Sequence, residues 1–326
     1  MKIIVDAFGG DNAPLEIIKG CALAVEEFGI EIILTGKEST IKQVADSSNI
    51  SLKNIEIYDC PQVITMDDSA ESVLKEKKDS SMAVGFKLLN DGKGDAFISA
   101  GNSGALCVGA TLAVKRIKGI KRPAFAPVMP SESGFFMLMD GGANVDCRPE
   151  MLCQFALMGS IYMEKVMGVK NPRIGLANVG TEEHKGNELY RTTHELLLKS
   201  NINFIGNVEG RDIPKGVCDV VVCDGFTGNL ILKTYEGVAI TLMKQMKKMF
   251  TSSLKGKMAA ALVMKNLKFM KTHFNYNTYG GAPILGASKP VFKAHGDSKA
   301  ATLRNAIKLS MDYIKANAIQ EITSSL

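Results

Sequence analysis

Eight short runs rich in aliphatic and β-branched residues recur along this chain, at 3–5, 31–35, 54–58, 95–99, 135–140, 173–178, 203–206 and 219–223. Segments with helical spacing lie between most of them, including 15–28, 41–47, 79–91, 152–167, 187–199 and 231–248. Near-continuous apolar runs of this length suit strands buried on both faces. Their alternation with helices predicts an α/β protein, a three-layer α/β/α sandwich around a mostly parallel sheet. No repeat, low-complexity tract or linker interrupts the pattern. A single catalytic domain over 1–326 is therefore expected, with a basic amphipathic helical insertion protruding around 250–275.

In such sheets ligands gather at the carboxyl ends of strands, where glycine lets the backbone approach them. Five loops here follow apolar runs: Gly9-Gly10-Asp11-Asn12, Gly101-Asn102-Ser103-Gly104, Gly141-Gly142-Ala143-Asn144, Gly180-Thr181-Glu182-Glu183-His184-Lys185-Gly186 and Gly225-Phe226-Thr227-Gly228-Asn229. Each alone reads more readily as a tight βα turn. Together, with glycine repeatedly beside Asn, Ser or Thr, they point to one shared polar site. The first loop leads into Pro14, suited to the first turn of a helix, whose unpaired N–H groups would face an anion.

At 326 residues, 46% hydrophobic and 22% charged, the chain can bury a large core. Its net charge of +5 does not mark a nucleic-acid binder, and no nucleic-acid partner is expected; it suits an acidic partner or an anionic membrane surface. Seven scattered cysteines with no Cys-x-x-Cys pair argue for a reducing cytoplasm and against a disulfide framework or zinc site. A strand begins almost at once without a leader-like segment, and no apolar run approaches a membrane span, so a cytoplasmic location is expected. No G-x-G-x-x-G follows a strand, no Gly-Lys pair precedes Ser or Thr, and neither G-x-S-x-G nor H-E-x-x-H occurs. None of the four histidines has an aspartate five positions later. No cofactor or metal is therefore expected. A site of amides, hydroxyls and backbone N–H groups suits phosphate, which brings its own charge and nucleophilic oxygens.

Read in order, these loops resemble the PlsX family of bacterial acyl carrier protein:phosphate acyltransferases. The resemblance rests on 6–14 (DAFGGDNAP), 99–105 (SAGNSGA), 142–147 (GANVDC), 178–187 (NVGTEEHKGN), 224–229 (DGFTGN) and 279–283 (YGGAP). Phe8 stands where the family usually carries Met. The resemblance implies a fold similar to phosphotransacetylases and isocitrate dehydrogenase-like proteins. It also implies transfer of a long-chain acyl group from acyl carrier protein to inorganic phosphate, giving acyl phosphate for phospholipid synthesis. A homodimer, peripheral association with the membrane and a membrane glycerol-3-phosphate acyltransferase that consumes the product are implied as well. The main alternative is a phosphotransacetylase-like enzyme using acyl-coenzyme A, which the same anion loops would serve. A third is a membrane-associated adaptor that only binds phosphorylated ligands or lipid.

Phosphate near pH 7 is already largely a dianion, so attack on a thioester needs no relay to create the nucleophile. The protein must offset its charge, align it with the carbonyl and stabilise the oxyanion. Lys185 is the leading charge partner for phosphate or oxyanion. Asn229 can donate its amide to an oxyanion, or cap a helix starting near residue 230. Thr227 and the N–H groups around Gly228 can add donors, and His184 can protonate the leaving thiolate. Gly9, Gly10, Asn12, Gly101, Asn102, Ser103, Gly104, Asn144 and Thr181 are expected in the loops that hold phosphate and thioester. Asp6, Asp11 and Asp224 more readily order loops, since a bare carboxylate repels phosphate; His295 is a lesser candidate.

Residues 254–272 differ from the rest. On a helical wheel Met258, Leu262, Val263, Leu267, Phe269 and Met270 share one side, while Lys257, Lys265, Lys268 and Lys271 cluster opposite. Three readings stand: a core helix with a solvated basic face, a dimer element, or a helix lying on anionic lipid. The lysines could equally receive an acidic acyl carrier protein.

Overall fold

The computed structural model describes residues 1–273 and 280–326, the side chains of 271–273 excepted. Tyr279, within the 279–283 motif, and the side chain of Lys271 lie outside the described residues. The chain opens with β1 (Lys2–Asp6), α1 (Leu15–Phe28), β2 (Glu31–Gly36), α2 (Glu38–Ser47), β3 (Ile55–Asp59), α3 (Ser81–Asn90), β4 (Ala96–Ser99) and α4 (Ser103–Leu112). It continues with β5 (Ala124–Phe125), β6 (Val128–Ser131), β7 (Gly134–Met139), α5 (Pro149–Lys165), β8 (Ile174–Asn178), α6 (Glu188–Leu198), β9 (Phe204–Glu209), β10 (Val220–Val222) and α7 (Gly225–Thr251). The last part holds α8 (Leu254–Leu262), α9 (Met264–His273), β11 (Ala282–Leu285), β12 (Val291–Lys293), α10 (Ala300–Lys315) and α11 (Ala318–Ser324).

The protein is α/β with mostly parallel strands, as expected, and the strands form two sheets. One has the order β3-β2-β1-β4-β12-β11-β5, the other β6-β7-β10-β8-β9. The antiparallel pairs are β11 with β12 and β5, and β6 with β7. The sheets approach one another at 124–131, where one stretch of chain leaves the edge of the first sheet as β5 and enters the second as β6. Pro127 sits at the crossing, and its missing N–H cannot continue a ladder.

Alternation within the strands builds the layers. In β1, Ile3 and Val5 face α1 and α10 through Ile17, Ile18 and Leu303. Ile4 faces the other way, joining Phe97, Met82 and Phe86 beside α3 and α4. Phe86 and Phe97 meet edge to face with centroids 4.9 Å apart. In the second sheet Met137, Met139, Val220 and Val222 pack toward α5, while Phe136, Leu138 and Val221 pack toward α7 through Leu232.

All eight expected strands are present, each bound within one residue except the end of β9, which runs three residues further to Glu209. Sequence reasoning missed β5, β6, β11 and β12, which are two to four residues long; β6 contains Pro130, β11 Pro283 and β12 the buried Lys293. It also read the start of α4, with Gly104 and Gly109 in its sequence, as loop.

The 254–272 segment is two helices, because Val263 leaves helical geometry at φ −103° and ψ 12°. Leu254, Met258, Leu262 and Phe269 are 80%, 70%, 88% and 68% exposed, which rules out the core-helix reading. Lys257, Lys265 and Lys268 are exposed as well. Among the described residues no helix is long and apolar enough to cross a membrane.

Candidate active site

The carboxyl ends of β4, β7 and β12 and the first half of α7 surround a cavity of about 530 Å³. Its polar lining includes Asp11, Ser103, Asn229, Lys233, Glu236, Lys293 and His295, together with backbone at Gly101, Gly104, Gly141, Gly142 and Gly296. Its apolar lining includes Met66, Val108, Phe125, Val128, Met129, Leu232 and Ala239. A few polar groups set in an apolar wall of this size are the usual form of a small-molecule site.

Buried carboxylates hold the glycine loops in place. Asp6, at the end of β1, accepts from Ser99 Oγ at 2.7 Å, and Ser99 Oγ in turn accepts from the Gly101 N–H at 3.0 Å. Burial pushes the Asp6 carboxyl up, against the hydrogen bonds that favour its charged form. Gly9 packs so tightly on this loop that a Cβ there would lie 2.6 Å from the Gly101 nitrogen. The Asn12 amide donates to Asp297 O at 3.0 Å, tying the first loop to the one after β12.

Asn102 is the N-cap of α4, accepting from the Ala105 N–H at 3.1 Å while its amide donates to the carbonyls of Thr65 and Asp68. Asp140 accepts from the N–H groups of Phe125, Gly142, Ala143 and Asn144 and from the Asn144 amide. Burial raises its carboxyl too, opposed by those donors. Gly9, Gly10, Asn12, Asn102 and Asn144 therefore shape the loops without lining the cavity.

Helix α7 starts earlier than its sequence suggests, directly at Gly225. Asp224 caps it, accepting from the Thr227 N–H at 2.8 Å and from the hydroxyls of Thr227 and Tyr190 at 2.9 and 2.5 Å. Thr227 is thus consumed by the cap. Gly228 is required by close packing: a Cβ there would stand 1.8 Å from Asp140 O. Asn229 lies one turn into the helix, so it does not cap it. Its side chain lines the cavity and makes no hydrogen bond among the described residues.

The structure brings Gly101, Ser103, Gly104 and Asn229 together in the cavity. Thr181, His184 and Lys185 are not in its lining. They follow β8, which is separated from β7 by β10 in the sheet. Their loop is held there by the Asn178 amide on Lys185 O and the Asn207 amide on Glu182 O. Lys185 Nζ lies 3.9 Å from a Glu182 carboxylate oxygen.

Sequence reasoning gave no role to Lys293, Lys233 or Glu236. Lys293 is 7% exposed, and its Nζ donates to Ala100 O at 3.0 Å and Ala294 O at 2.6 Å. Burial pulls its ammonium down to about 8, and the like charge of Lys233 acts in the same direction. Glu236 Oε2 accepts from Lys233 Nζ at 2.9 Å, and its Oε1 lies 3.6 Å from His295 Nε2. That contact is the foremost cause raising the His295 imidazole. The sole available sequence signal was a lysine closing an otherwise apolar strand, in Val291-Phe292-Lys293. The cavity thiol, Cys107, is pushed up to about 12 by burial, which keeps it protonated and a poor nucleophile.

A family model described as "fatty acid synthesis protein" matches residues 1–321. A phosphate acyltransferase of Caldanaerobacter subterraneus subsp. tengcongensis is 48% identical over 327 residues, covering 100% of this chain and 97% of that protein. One from Clostridium tetani is 47% identical over 327 residues, with 100% and 98% covered. Among solved structures, a phosphotransacetylase from Streptococcus pyogenes superposes with a TM-score of 0.63 at 17% identity, over 98% of this chain and 94% of that one. A branched-chain phosphotransacylase from Enterococcus faecalis gives 0.58 at 12%, over 96% and 99%. At these identities the structural likeness shows a shared fold.

Proposed function

This chain belongs to the fatty acid synthesis protein family, and from that premise we propose that it transfers a long-chain acyl group from acyl carrier protein to inorganic phosphate, yielding acyl phosphate for phospholipid synthesis. It is an acyltransferase, as its phosphate acyltransferase relatives are. The observation that carries the finer reading is that one cavity joins glycine-rich backbone and cationic side chains to an apolar wall. An acyl phosphate, a mixed anhydride with a charged phosphoryl end and an apolar chain, has those two halves.

In the proposed reaction a phosphate oxygen adds to the thioester carbonyl, forming a C–O bond and a tetrahedral oxyanion. The oxyanion collapses, the C–S bond breaks, and the carrier's thiolate leaves and takes a proton from solvent. The Asn229 amide, unpaired and facing the cavity, donates to the oxyanion. Cys107, kept protonated, does not intercept the acyl group. Lys185, His184 and Thr181, outside the lining, are given no step.

The proposal extends to the surroundings of the site. The chain acts as one domain, because the largest core cluster draws residues from both sheets. It works as a cytoplasmic homodimer that rests on anionic membrane through the exposed apolar and lysine residues of α8 and α9. Its product passes to a membrane glycerol-3-phosphate acyltransferase.

The deciding assay incubates the purified protein with long-chain acyl carrier protein, with and without inorganic phosphate, trapping acyl phosphate with hydroxylamine. Phosphate-dependent loss of thioester with hydroxamate formation is expected. Turnover with acyl-coenzyme A alone would move the donor assignment, and turnover with neither would leave a binding protein.

A further inference from the structure

The geometry points to Lys293 and the N-terminus of α4 as the subsite that holds the attacking phosphate. This rests on the phosphate acyltransferase reading and assigns the acceptor a place within it. Lys293 ends β12, and its Nζ reaches across to Ala100 O, three residues before α4 begins at Ser103. An ammonium carries three donors, and two are used, on Ala100 O and Ala294 O. The third has no partner among the described residues, although the side chain is more than nine-tenths buried and lines the cavity.

A buried charge without an ion-pair partner is costly; Lys293 forms no salt bridge among the described residues, and Asp11 and Asp6 offset only part of that cost from further away. An anion in the cavity removes that cost. The backbone completes the subsite: Ser103 and Gly104 open α4, line the same cavity, and leave their N–H groups unpaired among the described residues, because the Asn102 cap takes the N–H of Ala105 instead. Such a helix start already favours an anion, and here a buried ammonium accompanies it. Lys233, paired with Glu236 Oε2 at 2.9 Å, also lines the cavity, and its like charge disfavours the ammonium of Lys293. Asp11 and Asp6 favour the ammonium of Lys293 without forming an ion pair with it, and Glu236 is engaged by Lys233 and His295, so the place beside Lys293 stays open to an anion.

The test is Lys293→Met, which keeps the stem and removes the charge. With the acyl carrier protein assay, KM for phosphate is expected to rise roughly ten- to hundredfold, the range of a lost charge-assisted hydrogen bond. KM for the acyl donor should stay within about twofold of wild type. A merely structural lysine would leave the two KM values moving together, and a phosphate KM within about twofold of wild type overturns the proposal. Calorimetric titration with inorganic phosphate separates the two layers of the argument. Binding to the wild type that vanishes in Lys293→Met supports the subsite even if turnover fails, whereas no binding to the wild type overturns it. Should Lys293→Met fail to fold, the wild-type protein is treated with acetic anhydride in phosphate or in chloride at equal ionic strength. Protection of the peptide carrying Lys293 by phosphate supports the subsite, and equal labelling overturns it.

Discussion

Asn229 shows how one residue's role depends on where its helix starts. Read as the end of a loop it is a natural cap. With α7 beginning at Gly225 the cap falls to Asp224, and Asn229 is left one turn in, facing the cavity with its amide unpaired. Replacing it by Ala removes a donor without exposing a buried partner. Asn229→Ala should lower kcat by about 10²–10³, the range for loss of one oxyanion donor, with an unchanged thermal midpoint and acyl-donor KM. A kcat within a few-fold of wild type, measured in the hydroxylamine assay, would remove it from the mechanism. The loop residues tell the opposite story. Asn102, Asn144 and Thr227 each have the right chemistry for phosphate, yet each is consumed by a cap or a buried carboxylate. Their side-chain types were legible in the sequence; which partner each would find was not, because Thr65, Pro123 and Tyr190 lie far along the chain.

At the scale of elements, strong periodic segments were readable and short ones were not. The eight expected strands are hydrophobic enough to declare themselves, whereas β5, β6, β11 and β12 are defined by the neighbours they pair with. Helices α8 and α9 show a different limit. Their composition separates apolar from basic residues, but whether such a face is buried depends on what lies against it. Here Met258, Leu262 and Phe269 stay exposed, while Leu267 and Met270 are half-buried. A double variant, Leu262→Glu with Phe269→Glu, should abolish flotation with vesicles rich in anionic lipid and leave turnover of soluble acyl carrier protein intact. Retained flotation would show that the membrane contact lies elsewhere. Both sites are already solvated, so the fold should lose no more than about 0.5 kcal/mol.

For the whole molecule the question is whether two sheets behave as one unit. Tyr162 of α5 lies against Tyr313 of α10 with centroids 6.0 Å apart, and Tyr313 meets Phe292 of β12 edge to face at 5.5 Å. This stack joins a helix of the second sheet to a strand of the first. Tyr313→Ala should cost about 3–5 kcal/mol and lower the melting midpoint, with near- and far-ultraviolet dichroism still falling in a single transition. Two separated transitions would show two independently folding halves. Burial, β-branching and turn chemistry are local properties, so the α/β class, the run of parallel strands and the glycine loops at their ends can be read from the order of residues. Tertiary structure alone decided which loops share a cavity. Strand order places the loop after β8 away from it and brings β12, from the far end of the chain, beside β4. A single lysine at the end of β12 thereby becomes a buried cation next to a helix N-terminus. No local pattern encodes that meeting, since it arises from packing residues nearly two hundred positions apart.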